Sequence, residues 1–222
     1  MDTPTNLATI YARRFQQTGL ERRRRVWQVL CDDFFNRWVD PNSSVLDLAC
    51  GYGEFINAVR ARRKLAIDLN ADARQFLDRD VTFYQGSAAD LAPIANRSID
   101  LVFTSNFLEH LPSKQACTDL FVEVVRVLRP GGRFIILGPN IRYAYREYWD
   151  FFDHCLPLSD RSLAEGLVAC GFAIERIIPR FLPYTMNSNL PTGDWAIRLY
   201  LKLPLAWRII GKQFLVVASH RG

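Results

Sequence analysis

A carboxylate set inside a short apolar run limits what this chain can fold into. In Val45-Leu46-Asp47-Leu48-Ala49-Cys50-Gly51-Tyr52-Gly53-Glu54-Phe55-Ile56, apolar residues around one acid read as a buried strand. The glycine pair lets the backbone turn tightly and approach a ligand closely. A helix is expected from Glu54, its free N–H groups facing the same ligand, as in the nucleotide sites of doubly wound sheets. Ile56 stands where the dinucleotide fingerprint has its third glycine, which argues against a nicotinamide oxidoreductase. Asp47 is costly to bury without a partner and would repel a pyrophosphate, so it suits a cationic ligand. Asp68 closes a second apolar run, Lys64-Leu65-Ala66-Ile67, where an acid at a strand end accepts hydrogen bonds from a ribose diol. A cationic nucleoside fits both acids.

The rest of the chain alternates. Residues 10 to about 39 predict helix, broken near Gly19, with Val26, Leu30 and Phe34 four apart. Helix is expected over 54–62, 71–78, 113–128 and 161–170, the last between a Ser159 N-cap and a Gly171 stop. Strand is expected over 64–68, 81–85, 99–104, 132–138, 172–179 and 213–219. That order implies an α/β sheet, largely parallel, with helices on both faces. One domain over 1–222 is expected, with an N-terminal helical cap (1–43), a cofactor-binding core (44–138) and an acceptor-side segment (139–222) containing an insertion at 181–211.

Five cysteines without a Cys-x-x-Cys pair, and no histidine at ligand spacing, read as reduced and metal-free. The first residues lack the charged head and apolar run of a signal peptide, so a cytoplasmic location is expected. The net charge of +5 invites a nucleic-acid partner, but the excess is concentrated in Arg13, Arg14 and Arg22 to Arg25, and again in Arg198, Lys202, Arg208 and Lys212. Four successive arginines on a helix sweep every side, so at least one points inward and needs an anion there. Arg23 and Arg24 are candidates to meet an anionic acceptor. Residues 195–211 are too charged to span a bilayer and too apolar for a plain surface loop. They are expected to form a lid over an acceptor pocket, or else to touch a membrane surface.

Asp47-Leu48-Ala49-Cys50-Gly51-Tyr52-Gly53 resembles the first motif of the class I S-adenosylmethionine-dependent methyltransferases of the small single-domain kind, and Asp68 resembles the acid of their second. Ser98 to Phe103 with Asn106-Phe107-Leu108-Glu109-His110-Leu111, then Arg126 to Phe134, are similar to the fourth and fifth, in the same order over roughly 44–138. The resemblance implies a Rossmann-like fold with a seven-stranded, mostly parallel sheet whose last strand is antiparallel, and S-adenosylmethionine as cofactor. It implies cofactor contacts from Tyr11, Asp47, Ala49, Gly51, Gly53, Asp68, Leu69, Ser87, Ala88 and Asn106. Ser87 departs from the family, which often has an aspartate there; Asp90 either reaches in or caps a helix.

Phe107-Leu108 do not match the Pro-Pro-aromatic run of enzymes that methylate nucleic-acid bases, so nucleic acid is an unexpected partner. The expected reaction is methylation of a small molecule, at a hydroxyl of an anionic or sugar-like metabolite. A lipid-linked or amphiphilic acceptor is the alternative, and a non-catalytic nucleotide-binding scaffold a third. His154 and His110 are candidate catalytic residues, each also readable as structural, and Tyr143 is a candidate acceptor contact.

Overall fold

A computed structural model describes residues 19–184 and 193–221. The chain runs α1 (Leu20–Asp33), β1 (Ser44–Leu48), α2 (Glu54–Ala58), β2 (Arg63–Asp68), β3 (Val81–Gln85), β4 (Ile99–Ser105), α3 (Lys114–Val127), β5 (Leu128–Pro139), α4 (Ile141–Ala144), α5 (Asp160–Ala169), β6 (Phe172–Ile178), α6 (Asp194–Lys202), α7 (Pro204–Ile210) and β7 (Gln213–His220). The strands form a seven-stranded sheet in the order β3-β2-β1-β4-β5-β7-β6. β1 pairs parallel with β2 and β4. β7 runs antiparallel to both β5 and β6.

Alternation along each strand sends side chains to two cores. Leu46, Leu48, Val102, Ile136 and Val216 face one layer, closed by Leu120, Val124, Leu163 and Leu167 of α3 and α5. Val45, Phe103, Ile135 and Val217 face the other, with Leu30, Phe34, Phe35 and Phe55. Phe55 stacks on Phe103 with centroids 3.6 Å apart, and Phe35 meets Phe103 edge-on. The cap of α5 is the expected one: Ser159 accepts from the Ser162 amide, and Gly171 beyond its end has φ +88°.

Several boundaries differ from expectation, each for a local reason. The helix expected over 54–62 stops at Ala58, because Val59 turns extended and the Arg60 amide donates to Asn36 Oδ1. Residues 71–76 form a 3₁₀ turn, not an α-helix, with Ala73 the single buried residue in it. β5 begins at Leu128, not 132, since Leu128 pairs with Ile99 and the register shifts before Leu101 meets Arg133. α1 ends at Asp33 in a 3₁₀ turn over Phe35–Trp38. The helix expected from residue 10 falls partly outside the described residues.

The described part of the insertion after residue 192 is two short helices, α6 and α7, whose inner side packs along α1 and on Phe181. Phe34 stacks on Phe181 at 4.3 Å, Trp207 meets both rings edge-on, and Arg198 donates to Asp33 at 2.8 Å. The buried side of the hairpin packs on α1, where Leu201 and Trp207 find their apolar partners.

Candidate active site

Strand order reverses between β1 and β4, the place where an open α/β sheet leaves a crevice at its carboxyl edge. The loops after β1, β2 and β4 all reach that edge. After β1 the backbone takes left-handed conformations at Ala49 (φ 55°), Gly51 (54°) and Gly53 (73°). A Cβ on Gly53 would stand 2.3 Å from Leu77 Cδ2, so only glycine lets α2 start there; a Cβ on Gly51 would meet open space.

Asp68 ties this loop to β2. Its Oδ2 accepts from the Gly51 amide and its Oδ1 from the Asn70 amide, each at 2.8 Å. Burial raises its pKa, while the two amides oppose that rise. Asp47 is 3 % exposed. Burial pushes its pKa well up, and the Glu54 and Asp68 carboxylates add to the rise; an amide bond from Ile56 works against it. A cation placed at this edge relieves what three neighbouring carboxylates impose on one another. Leu69, next to Asp68, is 64 % exposed despite its apolar side chain, as a residue awaiting a flat apolar partner would be.

The other expected cofactor contacts divide. Asn106 follows β4 with φ 50° and donates to Ser105 Oγ. Ser87 Oγ already accepts from the Ala89 amide, and the Ala88 side chain is part of the core. Asp90 accepts from the Ala92 amide in a turn, and among the described residues no helix follows it before β4. Tyr11 lies outside the described residues.

Arg23 turns inward, as the four-arginine run requires. Its Nε donates to Glu54 Oε1 at 2.8 Å and its guanidinium lies 5.7 Å from the centre of the Tyr52 ring. Arg24 donates to the Phe76 carbonyl and lines a cleft between α1 and α2 with Gln28, Asn57 and Asp78. These partners belong to α1, α2 and the β2–β3 connection, not to the segment that carries the histidines. Tyr143 lies beneath the guanidinium of Arg180 at 4.8 Å.

The two histidines come together on the β4 side of the crevice. His110 and His154 have ring centroids 5.0 Å apart, edge to face. His110 Nδ1 is 3.1 Å from the Asp153 carbonyl and 3.2 Å from its carboxylate. Both of those groups only accept, so Nδ1 is the ring nitrogen that donates to Asp153. His154, largely buried, stacks on Phe151 at 4.8 Å and places Nδ1 3.4 Å from Tyr184 Oη.

Sequence reasoning left two further members out of the site. Glu109 is buried, and one donor atom each from Glu109, His110 and His154 lie within 4.8 Å of one another. The donor set suits a divalent cation; it equally suits imidazoles kept ready to accept a proton. Tyr148 is fully buried against His154 at 4.6 Å, and its hydroxyl has no partner among the described residues. The adjacency of Glu109 to His110 was a usable signal. For Tyr148 there was none beyond its place in an aromatic run.

Comparison with known proteins shows which proteins the chain resembles. The family model described as a methyltransferase domain matches residues 46–136. The chain is 32% identical over 176 residues to a fatty-acid O-methyltransferase of Mycolicibacterium smegmatis, covering 72% of this chain and 62% of that protein. It is 30% identical over 145 residues to a malonyl-[acyl-carrier protein] O-methyltransferase of Hahella chejuensis, covering 59% and 51%. The chain thus spans between half and two thirds of these curated relatives. A methyltransferase from Haloferax volcanii, solved with the Trm112 methyltransferase activator, shares the fold at a TM-score of 0.69 over 93% of this chain and 95% of that one, at 19% identity.

Proposed function

Because this chain belongs to the class I S-adenosylmethionine-dependent methyltransferase family, we propose that it methylates a hydroxyl of a small molecule bound beside His110 and His154. Two observations support the proposal: the buried Asp47 with Asp68 tied to the Gly51 turn, a setting suited to a cationic nucleoside, and the pairing of the two imidazoles beside Asp153 in the segments after β4 and β5.

Asp47, Asp68 and the Gly51 turn fit S-adenosylmethionine. Asp68 can accept from a ribose diol, Leu69 can cover an adenine face, and Gly51 leaves room for close backbone approach. Asp47 supplies negative charge on the methionine side. When bound, that cofactor supplies an electrophilic methyl on a sulfonium.

Methyl transfer of this kind is an in-line displacement, so the protein's contribution is largely positioning and exclusion of water. A hydroxyl must also lose its proton. His110 Nε2 takes that proton in this reading, and Asp153 holds the ring and favours the imidazolium that results. His154, fixed between Tyr148 and Phe151, packs against the His110 ring and holds it in place. Tyr148 Oη, buried without a partner among the described residues, is the group an acceptor oxygen would satisfy.

An amphiphilic acceptor is the second reading, favoured by the exposed apolar side chains of α6 and α7 and in keeping with the fatty-acid relative. Transfer of labelled methyl into a metabolite extract, split into aqueous and lipid phases, distinguishes the two. Label in either phase that is lost in His110→Gln supports catalysis; cofactor binding with no label in either phase would leave a scaffold.

A further inference from the structure

The α6–α7 hairpin is apolar on two sides, and the described residues cover one of them. Leu201 and Trp207 are buried, and Ile197 and Tyr200 pack partly against the same core. Outward, Trp195 (71 % exposed), Leu199, Leu203, Leu205 (73 %) and Ile209 (76 %) stand in solvent within fifteen residues of chain. Scattered exposed apolar residues are ordinary; five large ones on one hairpin are not.

These side chains cannot simply turn inward, because the hairpin is fastened. Tyr200 Oη donates to the Phe181 carbonyl at 2.6 Å, and Trp207 Nε1 to the Tyr200 carbonyl at 2.8 Å. Arg180 donates to the carbonyls of Ile209 and Gly211, both at 2.7 Å. Arg198 is held on Asp33. The outer face is therefore a fixed platform.

We propose that this platform rests on a bilayer surface bearing anionic headgroups. Its charges are Asp194 at one end and Lys202 and Arg208 between the apolar residues, while Arg198 is paired with Asp33. Helices of nine and seven residues are far too short to cross a bilayer, but cations interleaved with large apolar groups are what an in-plane segment needs. Trp195 is of the type that settles at the headgroup level. A second copy of the chain is the poorer occupant. A two-fold contact would bring Lys202 and Arg208 of both copies onto one interface, with Asp194 the acid on the same hairpin. The net charge of +5 favours an anionic surface in the same way. The inference does not depend on methyl transfer or on the acceptor being a lipid.

The test is co-sedimentation of the full chain with vesicles of phosphatidylcholine alone or mixed with phosphatidylglycerol, at low and at high salt. Binding should require phosphatidylglycerol, weaken at high salt, and fall about tenfold in the double variant Leu205→Glu/Ile209→Glu and in Lys202→Ala/Arg208→Ala. Thermal stabilisation by S-adenosylhomocysteine without lipid, unchanged in both variants, shows that the fold is kept and keeps this test separate from that of the methyl-transfer reading. Absence of pelleting at low salt, or equal pelleting of wild type and both variants, would overturn the inference. So would a concentration-dependent dimer in sedimentation velocity that Leu205→Glu/Ile209→Glu abolishes.

Discussion

The amide of Gly51 donates to Asp68 Oδ2 at 2.8 Å, bridging seventeen positions of sequence and joining the turn after β1 to the end of β2. One carboxylate thus shapes the loop and offers its remaining lone pairs to the crevice. Asp68→Ala should weaken S-adenosylhomocysteine binding by about 1–3 kcal/mol, since the ribose loses a charge-assisted acceptor and the loop loses its tie. Calorimetric titration of the folded variant checks this. Unchanged affinity would remove Asp68 from the site.

Asp47 trades stability for binding. Its folded-state pKa lies above the ordinary carboxylate value, so the folded chain holds this proton over a pH range in which the unfolded chain has released it. Stability from this group therefore falls as pH rises from the unfolded value through the folded one, and the full penalty is present above that. Asp47→Asn should raise the melting temperature of the ligand-free protein at neutral pH, with a gain that shrinks on acidification. Its affinity for S-adenosylmethionine should drop by about 1–3 kcal/mol. Melts across pH with and without ligand read both effects, and a variant that binds as tightly as wild type would contradict the role.

His110→Gln should lower kcat by about 10²–10⁴-fold with S-adenosylhomocysteine affinity unchanged, because its contacts lie on the β4 side of the crevice. Asp153→Asn should lower it less, acting through the ring it holds. Activity that is abolished by a chelator and restored by zinc would instead make Glu109, His110 and His154 a metal centre.

Tyr148→Phe separates packing from function. The ring is fully buried and its hydroxyl unpartnered among the described residues, so the change should be neutral or stabilising by up to about 1 kcal/mol in urea melts. Activity should fall nonetheless if the hydroxyl meets the acceptor. Unchanged kcat/KM would place the acceptor elsewhere.

The legible part of this protein was the part governed by local chemistry. An acid inside an apolar strand, glycines after it, and a second acid one strand later marked Asp47, Gly51, Gly53 and Asp68 without reference to distant residues. Apolar runs located the strands, and the Ser159 cap with the Gly171 stop located α5. What stayed hidden depends on contacts between irregular segments. His110 meets Asp153 across forty-three positions, and neither lies in a periodic element. The early end of α2 depends on Asn36 capturing the Arg60 amide. Residues 195–211 were expected to bury an apolar side, but their helices and their neighbours Asp33 and Phe34 were not foreseen. The inward arginine was foreseeable; its anion, Glu54, was not.

The most direct test of the account is calorimetric titration of S-adenosylhomocysteine and NAD into the same preparation, wild type beside Asp68→Ala. One equivalent of S-adenosylhomocysteine should bind the wild type, bind the variant more weakly by about 1–3 kcal/mol, and raise the wild-type melting temperature by mass action; NAD should do neither. Binding of NAD without binding of S-adenosylhomocysteine would contradict the reading of this crevice as a methyl-donor site.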